Sequence, residues 1–237
     1  MASAAVMIVD RSLGAIPIRA VVFDMDGVII DSEHIWDEVR EQLARDWDGT
    51  YGPEAQRAMM GMSAPEWSVY MRDSVGIAAA PEEIEVEVVR RMRARYHEEL
   101  PVLPGAVEAI RRLREAGLRL AVASSSNREL IETVLETLEV SDSFEQVVSS
   151  EEVQRGKPAP DVYHEVTRRL GLDPGVCAAV EDSTNGLLAA AGAGLAVVAY
   201  PNRRFPPAAD ALERAALVVD SLDALTPETL SALRDAG

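Results

Sequence analysis

The sequence predicts an α/β fold, a doubly wound parallel sheet with an inserted α-helical cap, and three observations support this prediction. Short apolar runs alternate along the chain with stretches of helical periodicity, which is typical of a parallel sheet covered by helices. Each apolar run ends in a cluster of polar or turn-forming residues. One long segment has helical patterns but no clear apolar run, which favours a helical insertion over another β-α unit.

Four apolar runs are predicted to be buried strands, and helices are predicted between them. The first run breaks into a turn at Asp24-Met25-Asp26-Gly27, and Gly117 and Gly171 are typical helix stops. The predicted strands are 20–23, 118–123, 176–180 and 195–200, and the predicted core helices are 106–116, 129–138 and 161–170.

The segment 32–101 contains helical patterns at 36–44 and 82–100 and no clear buried strand. We therefore expect a helical cap domain at 32–101, inserted into a core domain formed by 1–31 and 102–237. The alternative is that these helices simply cover one face of the sheet.

The chain is acidic, with 40 Asp and Glu against 23 Lys and Arg in 237 residues and a formal net charge of -17. Such a charge repels phosphate backbones and anionic lipid surfaces at long range. We therefore expect neither nucleic acid nor a membrane as a partner. A small anion can still bind if a cation dominates the field inside the pocket, so a metal ion is expected.

The cellular location is predicted from the apolar stretches, the N-terminus and the single cysteine. No apolar stretch approaches the roughly 20 residues that cross a bilayer, and the N-terminus lacks the pattern of a secretory signal. Cys177, the single cysteine, lies in an apolar run, which predicts a buried, reduced thiol. We expect a cytoplasmic protein that is monomeric by default. No role is predicted for residues 1–18.

Asp24 and Asp26 share the turn that follows the first predicted strand. Two carboxyl groups so close resist joint ionisation unless a cation lies between them. This pattern suits a nucleophile and a proton-transferring acid beside a metal ion. The competing interpretation is a solvated turn that caps a helix.

Other polar residues at predicted strand ends or loops supply the remaining groups for phosphoryl chemistry. Ser124 begins a hydroxyl-rich turn, and Lys157, the only lysine of the chain, lies between Gly156 and Pro158. Glu181 and Asp182 follow another buried run and offer the hard oxygen ligands that Mg²⁺ prefers. Since ligands of parallel sheets bind beyond the carboxyl ends of strands, we expect these groups to converge. Taken alone, Ser124 and the Glu181-Asp182 pair are also compatible with helix caps. Lys157 is also compatible with a surface residue, but the absence of any other lysine argues against this.

These residues together resemble the four motifs of the haloacid dehalogenase superfamily. The resemblance extends over nearly everything after Arg19 and is closest to the subfamily whose helical cap follows the first motif, which includes β-phosphoglucomutase and many sugar-phosphate phosphatases. It implies a Rossmann-like core with a mobile cap. The residues that carry it are Asp24-Met25-Asp26-Gly27-Val28, Ser124, Gly156-Lys157-Pro158 and Glu181-Asp182-Ser183.

The resemblance implies catalytic and metal-binding roles for four acidic residues. Asp24 would be the nucleophile that forms an aspartyl-phosphate, and Asp26 the general acid/base. Mg²⁺ would be held by Asp24, by the backbone carbonyl of Asp26 and by Asp182. Glu181 would be a further ligand or would orient the others.

The resemblance also implies a phosphate site and a substrate side. Ser124 and Lys157 would bind the phosphoryl group, and Ser126 and Asn127 would face the leaving group across the cap. His34, Trp36, Met62 and Trp67 would line the substrate side of the cap, although the tryptophans are equally compatible with the cap core.

Several departures from the family patterns select among its activities. Asp26 argues against a dehalogenase, and the absence of lysine from 32–101 argues against a phosphonate-cleaving enzyme. Where the mutases carry Gly-Val-Ser-Arg, this chain reads Gly61-Met62-Ser63-Ala64, and Trp36 replaces their histidine. We therefore expect a Mg²⁺-dependent phosphatase acting on a sugar phosphate or phosphorylated biosynthetic intermediate. The alternatives are a β-phosphoglucomutase-type phosphoryl transfer and, more remotely, a non-catalytic binding protein.

Overall fold

The computed structural model describes residues 17–60 and 62–233, and a six-stranded parallel sheet lies at its centre. The strands are arranged in the order β3-β2-β1-β4-β5-β6, and every neighbouring pair is parallel. In chain order they are β1 (Ala20–Phe23), β2 (Arg119–Ser124), β3 (Gln146–Ser149), β4 (Cys177–Glu181), β5 (Ala196–Ala199) and β6 (Leu217–Val218).

Ten α-helices are found in the described residues. Five of them lie between β1 and β2, and one of the other five follows each of the strands β2 to β6. They are α1 (Glu33–Asp46), α2 (Pro53–Met59), α3 (Ala64–Asp73), α4 (Pro81–Glu98), α5 (Ala106–Glu115), α6 (Arg128–Thr137), α7 (Asp161–Leu170), α8 (Thr184–Gly192), α9 (Ala209–Leu212) and α10 (Pro227–Ser231).

The alternation of side chains along β1 explains why helices cover both faces of the sheet. Val21 and Phe23 belong to an apolar cluster that includes residues of α5 and α6, whereas Ala20 and Val22 belong to a second cluster with residues of α7 and α8. Successive side chains of a strand point to opposite faces, so a strand that is apolar at every position is buried on both sides. The predicted α/β fold with a doubly wound parallel sheet is confirmed.

The two ends of the segment 32–101 lie next to each other. The backbone N–H of Asp31 donates to the Pro101 carbonyl at 2.8 Å, and the N–H of Leu103 donates to the Ile29 carbonyl at 2.9 Å. Helices α1 and α3 pack on α4, which also contacts α6. The apolar cluster continues from Phe23 into this segment. The division into a core domain and a cap at 32–101 stays a prediction.

The sequence patterns missed two strands of the sheet. Strand β3 has four residues and β6 has two, and Val218 of β6 is 55% exposed. Such short edge segments show too little apolar alternation to be recognised. Most of the leader 1–18 lies outside the described residues. Within the described part of the chain, no helix has both the length and the apolar character that a membrane crossing requires.

Candidate active site

Strand register brings the predicted site residues to one edge of the sheet. Phe23 is paired with Val122 on one side and with Val180 on the other. The polar residues that end or follow these strands, Asp24 and Glu181, therefore lie next to one another. Ser124 ends the neighbouring strand β2, so three of the predicted groups meet at the carboxyl edge of the sheet.

Lys157 enters this edge from the loop before α7 and is buried, with 5% of its surface exposed. Its Nζ lies 3.0 Å from Asp24 Oδ1 and 2.6 Å from Glu181 Oε1, and it donates to the Ala123 carbonyl at 3.0 Å. Burial lowers the pKa of Lys157, but the two carboxylates outweigh it and raise the pKa above its usual value. The ammonium therefore stays charged, as a buried charge can when it is paired.

Glu181 is fully buried and lies behind the site. Its Oε1 accepts from Lys157 and from the hydroxyl of Tyr163, each at 2.6 Å. Its Oε2 accepts from the backbone N–H of Asp182 at 3.2 Å and from Ser183 Oγ at 3.5 Å. Both oxygens are thus engaged by protein donors, which suits a residue that orients Lys157 and Asp182.

A metal ion would fit between the carboxylates of Asp24, Glu181 and Asp182. One oxygen of each lies within 4.8 Å of the others, and all three residues are buried. Burial, reinforced by Glu181, raises the pKa of Asp24 to about 8, and burial and Asp24 raise that of Asp182 well above its usual value. A single lysine therefore does not neutralise the group, and its hard oxygens are those Mg²⁺ prefers.

The atoms that remain available point to two direct ligands. Asp24 Oδ1 is buried and has no hydrogen-bond partner among the described residues, although Lys157 lies nearby. Asp182 Oδ2 accepts only a long bond of 3.4 Å from Asn202 Nδ2. Asp24 and Asp182 also line the cavity described below, whereas Glu181 does not.

The Asp26 carboxylate is held apart from this group by hydroxyls and an indole. Oδ2 accepts from Ser126 Oγ at 2.6 Å and from Ser124 Oγ at 3.5 Å. Oδ1 accepts from Ser32 Oγ and, at 3.4 Å, from Trp36 Nε1. Since Ser32 and Trp36 belong to the inserted segment, both the core and the insertion orient this acid.

Two glycines, Gly27 and Gly186, leave space for the carboxylates of Asp182 and Glu181. Gly27 has a φ of 81°, and a Cβ there would lie 1.9 Å from Asp182 Oδ2. A Cβ on Gly186 would lie 1.8 Å from Glu181 Oε2. Both distances are far inside van der Waals contact, so any side chain at these positions would displace a carboxylate of the site.

A cavity of about 470 Å³ opens above Asp24. Core residues form its floor and helices α1, α2 and α3 supply its roof. Trp36 and Trp67 line the cavity and are also buried in the apolar cluster, so both interpretations of these tryptophans apply. Met62 lines it as well. Five of the predicted site residues line the cavity: Asp24, Asp26, Ser126, Lys157 and Asp182. Ser124, Asn127 and Glu181 are not among its lining residues.

The side-chain amide of Asn127 is held by two glutamates. Its Nδ2 donates to Glu85 Oε1 of α4 at 2.7 Å and to Glu151 Oε1 at 2.6 Å, and it is not among the residues that line the cavity. Asn127 thus bridges the insertion and the core in this structure. Its role in substrate binding stays a prediction.

Sequence reasoning missed several residues of the site. Tyr163 and Asn202 hold Glu181 and Asp182, Ser32 holds Asp26, and Arg40 lines the cavity. Asn202 carried a signal, because it follows a predicted strand. Tyr163 and Arg40 lie within amphipathic helices and show nothing in sequence that separates them from ordinary core or surface positions.

Comparisons with known proteins show which family the chain resembles. A family model described as haloacid dehalogenase-like hydrolase matches residues 18–194. Hexitol phosphatase B of Escherichia coli (strain K12) is 34% identical over 189 residues, which cover 78% of this chain and 84% of the relative. Phosphorylated carbohydrates phosphatase of Thermotoga maritima is 31% identical over 178 residues, 75% of this chain and 82% of the relative.

Among solved structures, CbbY from Rhodobacter sphaeroides, determined in complex with phosphate, is similar at a TM-score of 0.77 and 26% identity. The match covers 86% of this chain and 95% of that one.

Proposed function

The chain belongs to the haloacid dehalogenase-like hydrolase family and is a phosphoric monoester hydrolase, and we propose that it is a Mg²⁺-dependent phosphatase of a small phosphorylated metabolite that reacts through an aspartyl-phosphate. One observation carries the proposal: Asp24 lies at the floor of the cavity, 3.0 Å from the buried Lys157 ammonium and two residues from Asp26. The proposed nucleophile, the lysine cation and the proposed acid all line this one cavity.

In the first step, an oxygen of the Asp24 carboxylate attacks phosphorus and the ester P–O bond breaks. Asp26, when protonated, donates its proton to the leaving oxygen, so that the substrate departs as an alcohol. Lys157 and the Ser124 hydroxyl stabilise the negative charge of the phosphoryl oxygens during transfer.

In the second step, water attacks phosphorus of the aspartyl-phosphate, and the bond to Asp24 breaks. Asp26, now a carboxylate, accepts the proton from this water. Inorganic phosphate is released and both aspartates return to their starting states. Ser32, Ser126 and Trp36 donate to the Asp26 carboxylate here and hold it in the cavity.

Asp24 and Asp182 are the proposed carboxylate ligands of Mg²⁺, with the Asp26 backbone carbonyl as a third, and Glu181 orients them from behind. When bound, Mg²⁺ would neutralise the carboxylates and the phosphoryl oxygens, so that the carboxylate can approach an anionic phosphate ester.

Cavity size and the relatives support a small carbohydrate phosphate as substrate. A volume of about 470 Å³ is within the range typical of small-molecule sites, roughly 300–1,000 Å³. The two relatives described above are named for hexitol and for phosphorylated carbohydrates. We also propose that residues 32–101 act as a cap domain, because the segment leaves and rejoins the core through paired backbone at Asp31 and Pro101.

Phosphate release tests the proposal. Wild type, Asp24→Asn, Asp26→Asn and Asp220→Asn are compared with p-nitrophenyl phosphate and a panel of sugar phosphates, in Mg²⁺ and in EDTA. Asp220 is the matched control, since it is exposed and follows β6 outside the cavity. We expect Mg²⁺-dependent release by wild type and Asp220→Asn, and none by Asp24→Asn. Release in EDTA, or by Asp24→Asn, would contradict the mechanism, and isomerisation of β-glucose 1-phosphate without release would favour a mutase.

A further inference from the structure

Arg40 is a buried cation in the cavity that the proposed hydrolysis does not use. It lies on α1, is 5% exposed and lines the same cavity as Asp24 and Asp26. Its guanidinium carbon lies 4.6 Å from the ring centroid of Trp36 and 5.1 Å from that of Trp67. The guanidinium is thus in contact with two indole rings in the roof of the cavity.

Arg40 has no polar partner within residues 17–60 and 62–233. Its Nε is buried without a hydrogen bond, and its side chain takes part in no ion pair or hydrogen bond of the described residues. The other buried cation of the site, Lys157, has two carboxylate oxygens and one carbonyl oxygen within 3.0 Å. Four groups influence Arg40 through space without forming an ion pair or hydrogen bond with its side chain: Glu33, Tyr51, Asp26 and Asp37. Buried charges are normally paired, so an unpaired one that faces a cavity points to a ligand.

The contacts of Arg40 determine which chemical group it can take. A guanidinium that rests on aromatic faces keeps the N–H donors of its edge free, and that edge matches the two oxygens of a carboxylate or phosphate. Trp36 connects Arg40 to the reacting centre, because the same indole donates to Asp26. Arg40 therefore lies on the side of the cavity where the leaving group would be. Arg57 of α2 lines the same cavity and adds a second positive charge.

We propose that Arg40 binds a second anionic group, a carboxylate or a phosphate, on the leaving group of the substrate. This inference rests on the proposed phosphatase function and narrows its substrate to phosphate esters that carry another anion. Arg40 is then a specificity residue, whereas the chemistry remains with Asp24 and Asp26.

Matched substrate pairs test this assignment. In the first pair, 3-phosphoglycerate has a carboxylate where glycerol 3-phosphate has a neutral hydroxymethyl group. In the second pair, fructose 1,6-bisphosphate has a second phosphate that fructose 6-phosphate lacks. Each is assayed with wild type, Arg40→Met, Arg40→Lys and the control Arg45→Met. Arg45 is on the same helix with its side chain 68% exposed and paired with Glu41.

We expect wild type to prefer the anionic member of at least one pair, which identifies the group as carboxylate or phosphate. Arg40→Met should lower kcat/KM for that member by about 10–150-fold, mostly through KM, as expected for loss of a hydrogen bond to a charged group. Its kcat/KM for the neutral member should fall by much less, so that the ratio of the two values drops toward that of an enzyme without a preference. Arg40→Lys should be intermediate, and Arg45→Met should match wild type.

A binding measurement separates recognition from folding and turnover. Quenching of tryptophan fluorescence is titrated with the same ligands in Asp24→Asn and in Asp24→Asn/Arg40→Met, with the melting temperature of each variant recorded. Equal losses for both members of a pair would assign Arg40 a structural role and overturn the proposal. So would a wild type with no preference, in binding or turnover, for either anionic member. Absence of turnover even of p-nitrophenyl phosphate by wild type would instead contradict the phosphatase.

Discussion

Replacing Lys157 by Met removes the one cation that contacts the buried carboxylates within the described residues. Its Nζ lies 3.0 Å from Asp24 and 2.6 Å from Glu181, and Glu181 is fully buried. Removing one partner of a buried ion pair costs about 3–5 kcal/mol, because the remaining charge stays buried without compensation. For a chain of this size each kcal/mol lowers the melting temperature by about 2–4 °C, so Lys157→Met should lower it by roughly 6–20 °C.

The assay is thermal unfolding followed by circular dichroism at neutral pH in EDTA, so that no divalent cation substitutes for the lysine. Arg45→Met is the control, since its pair with Glu41 at 3.3 Å is exposed and such pairs contribute at most about 1 kcal/mol. A melting temperature for Lys157→Met that equals or exceeds that of Arg45→Met would refute the reasoning. It would show that the lysine does not stabilise the folded carboxylate cluster.

Three further predictions concern the metal, a glycine and the cysteine. Mg²⁺ at a hundred times its dissociation constant should stabilise the wild type by about 2.7 kcal/mol. In a thermal-shift assay, Asp182→Asn should lose most of this stabilisation. If Mg²⁺ stabilised the variant as much as the wild type, the proposed metal site would be contradicted. Gly27→Ala should abolish most phosphate release, because its Cβ would lie 1.9 Å from Asp182 Oδ2. Gly52→Ala is the control, because a Cβ there meets nothing within 4 Å. Equal activities of the two variants would contradict the close approach of Gly27 to Asp182. Burial raises the pKa of Cys177 to about 11, so Ellman's reagent at pH 8 should label it only after unfolding, and rapid labelling of the native protein would show that it is accessible.

The central residues of the site were predictable because they directly follow or end predicted parallel strands. Apolar runs predict β1, β2 and β4, and parallel strands align their carboxyl ends at one edge. The polar residues that end or follow those runs, Asp24, Ser124 and Glu181, therefore had to be neighbours. The single lysine was conspicuous because it is unique in composition, and the structure places it between two carboxylates.

The site residues that the sequence patterns missed are defined by contacts between different helices and loops. Arg40 of α1 is one of 22 arginines in the chain, and its buried side chain packs on Trp67 of α3. Tyr163 occupies an apolar position of an amphipathic helix, where a core residue is the default expectation. Asn127 was predicted on the substrate side from its motif, but Glu85 and Glu151 engage its amide. Such side-chain pairings depend on how α4 meets the core, which periodicity does not encode.

The central claim is that phosphate is transferred to Asp24 before water attacks it. Asp26→Asn with p-nitrophenyl phosphate and Mg²⁺ tests this most directly, because p-nitrophenolate leaves without an acid whereas hydrolysis of the intermediate needs the base. Rapid-quench kinetics should show a burst of about one equivalent of p-nitrophenolate, and borohydride reduction followed by peptide mass spectrometry should find homoserine at position 24. Steady release without a burst, or a label on another residue, would contradict the covalent mechanism.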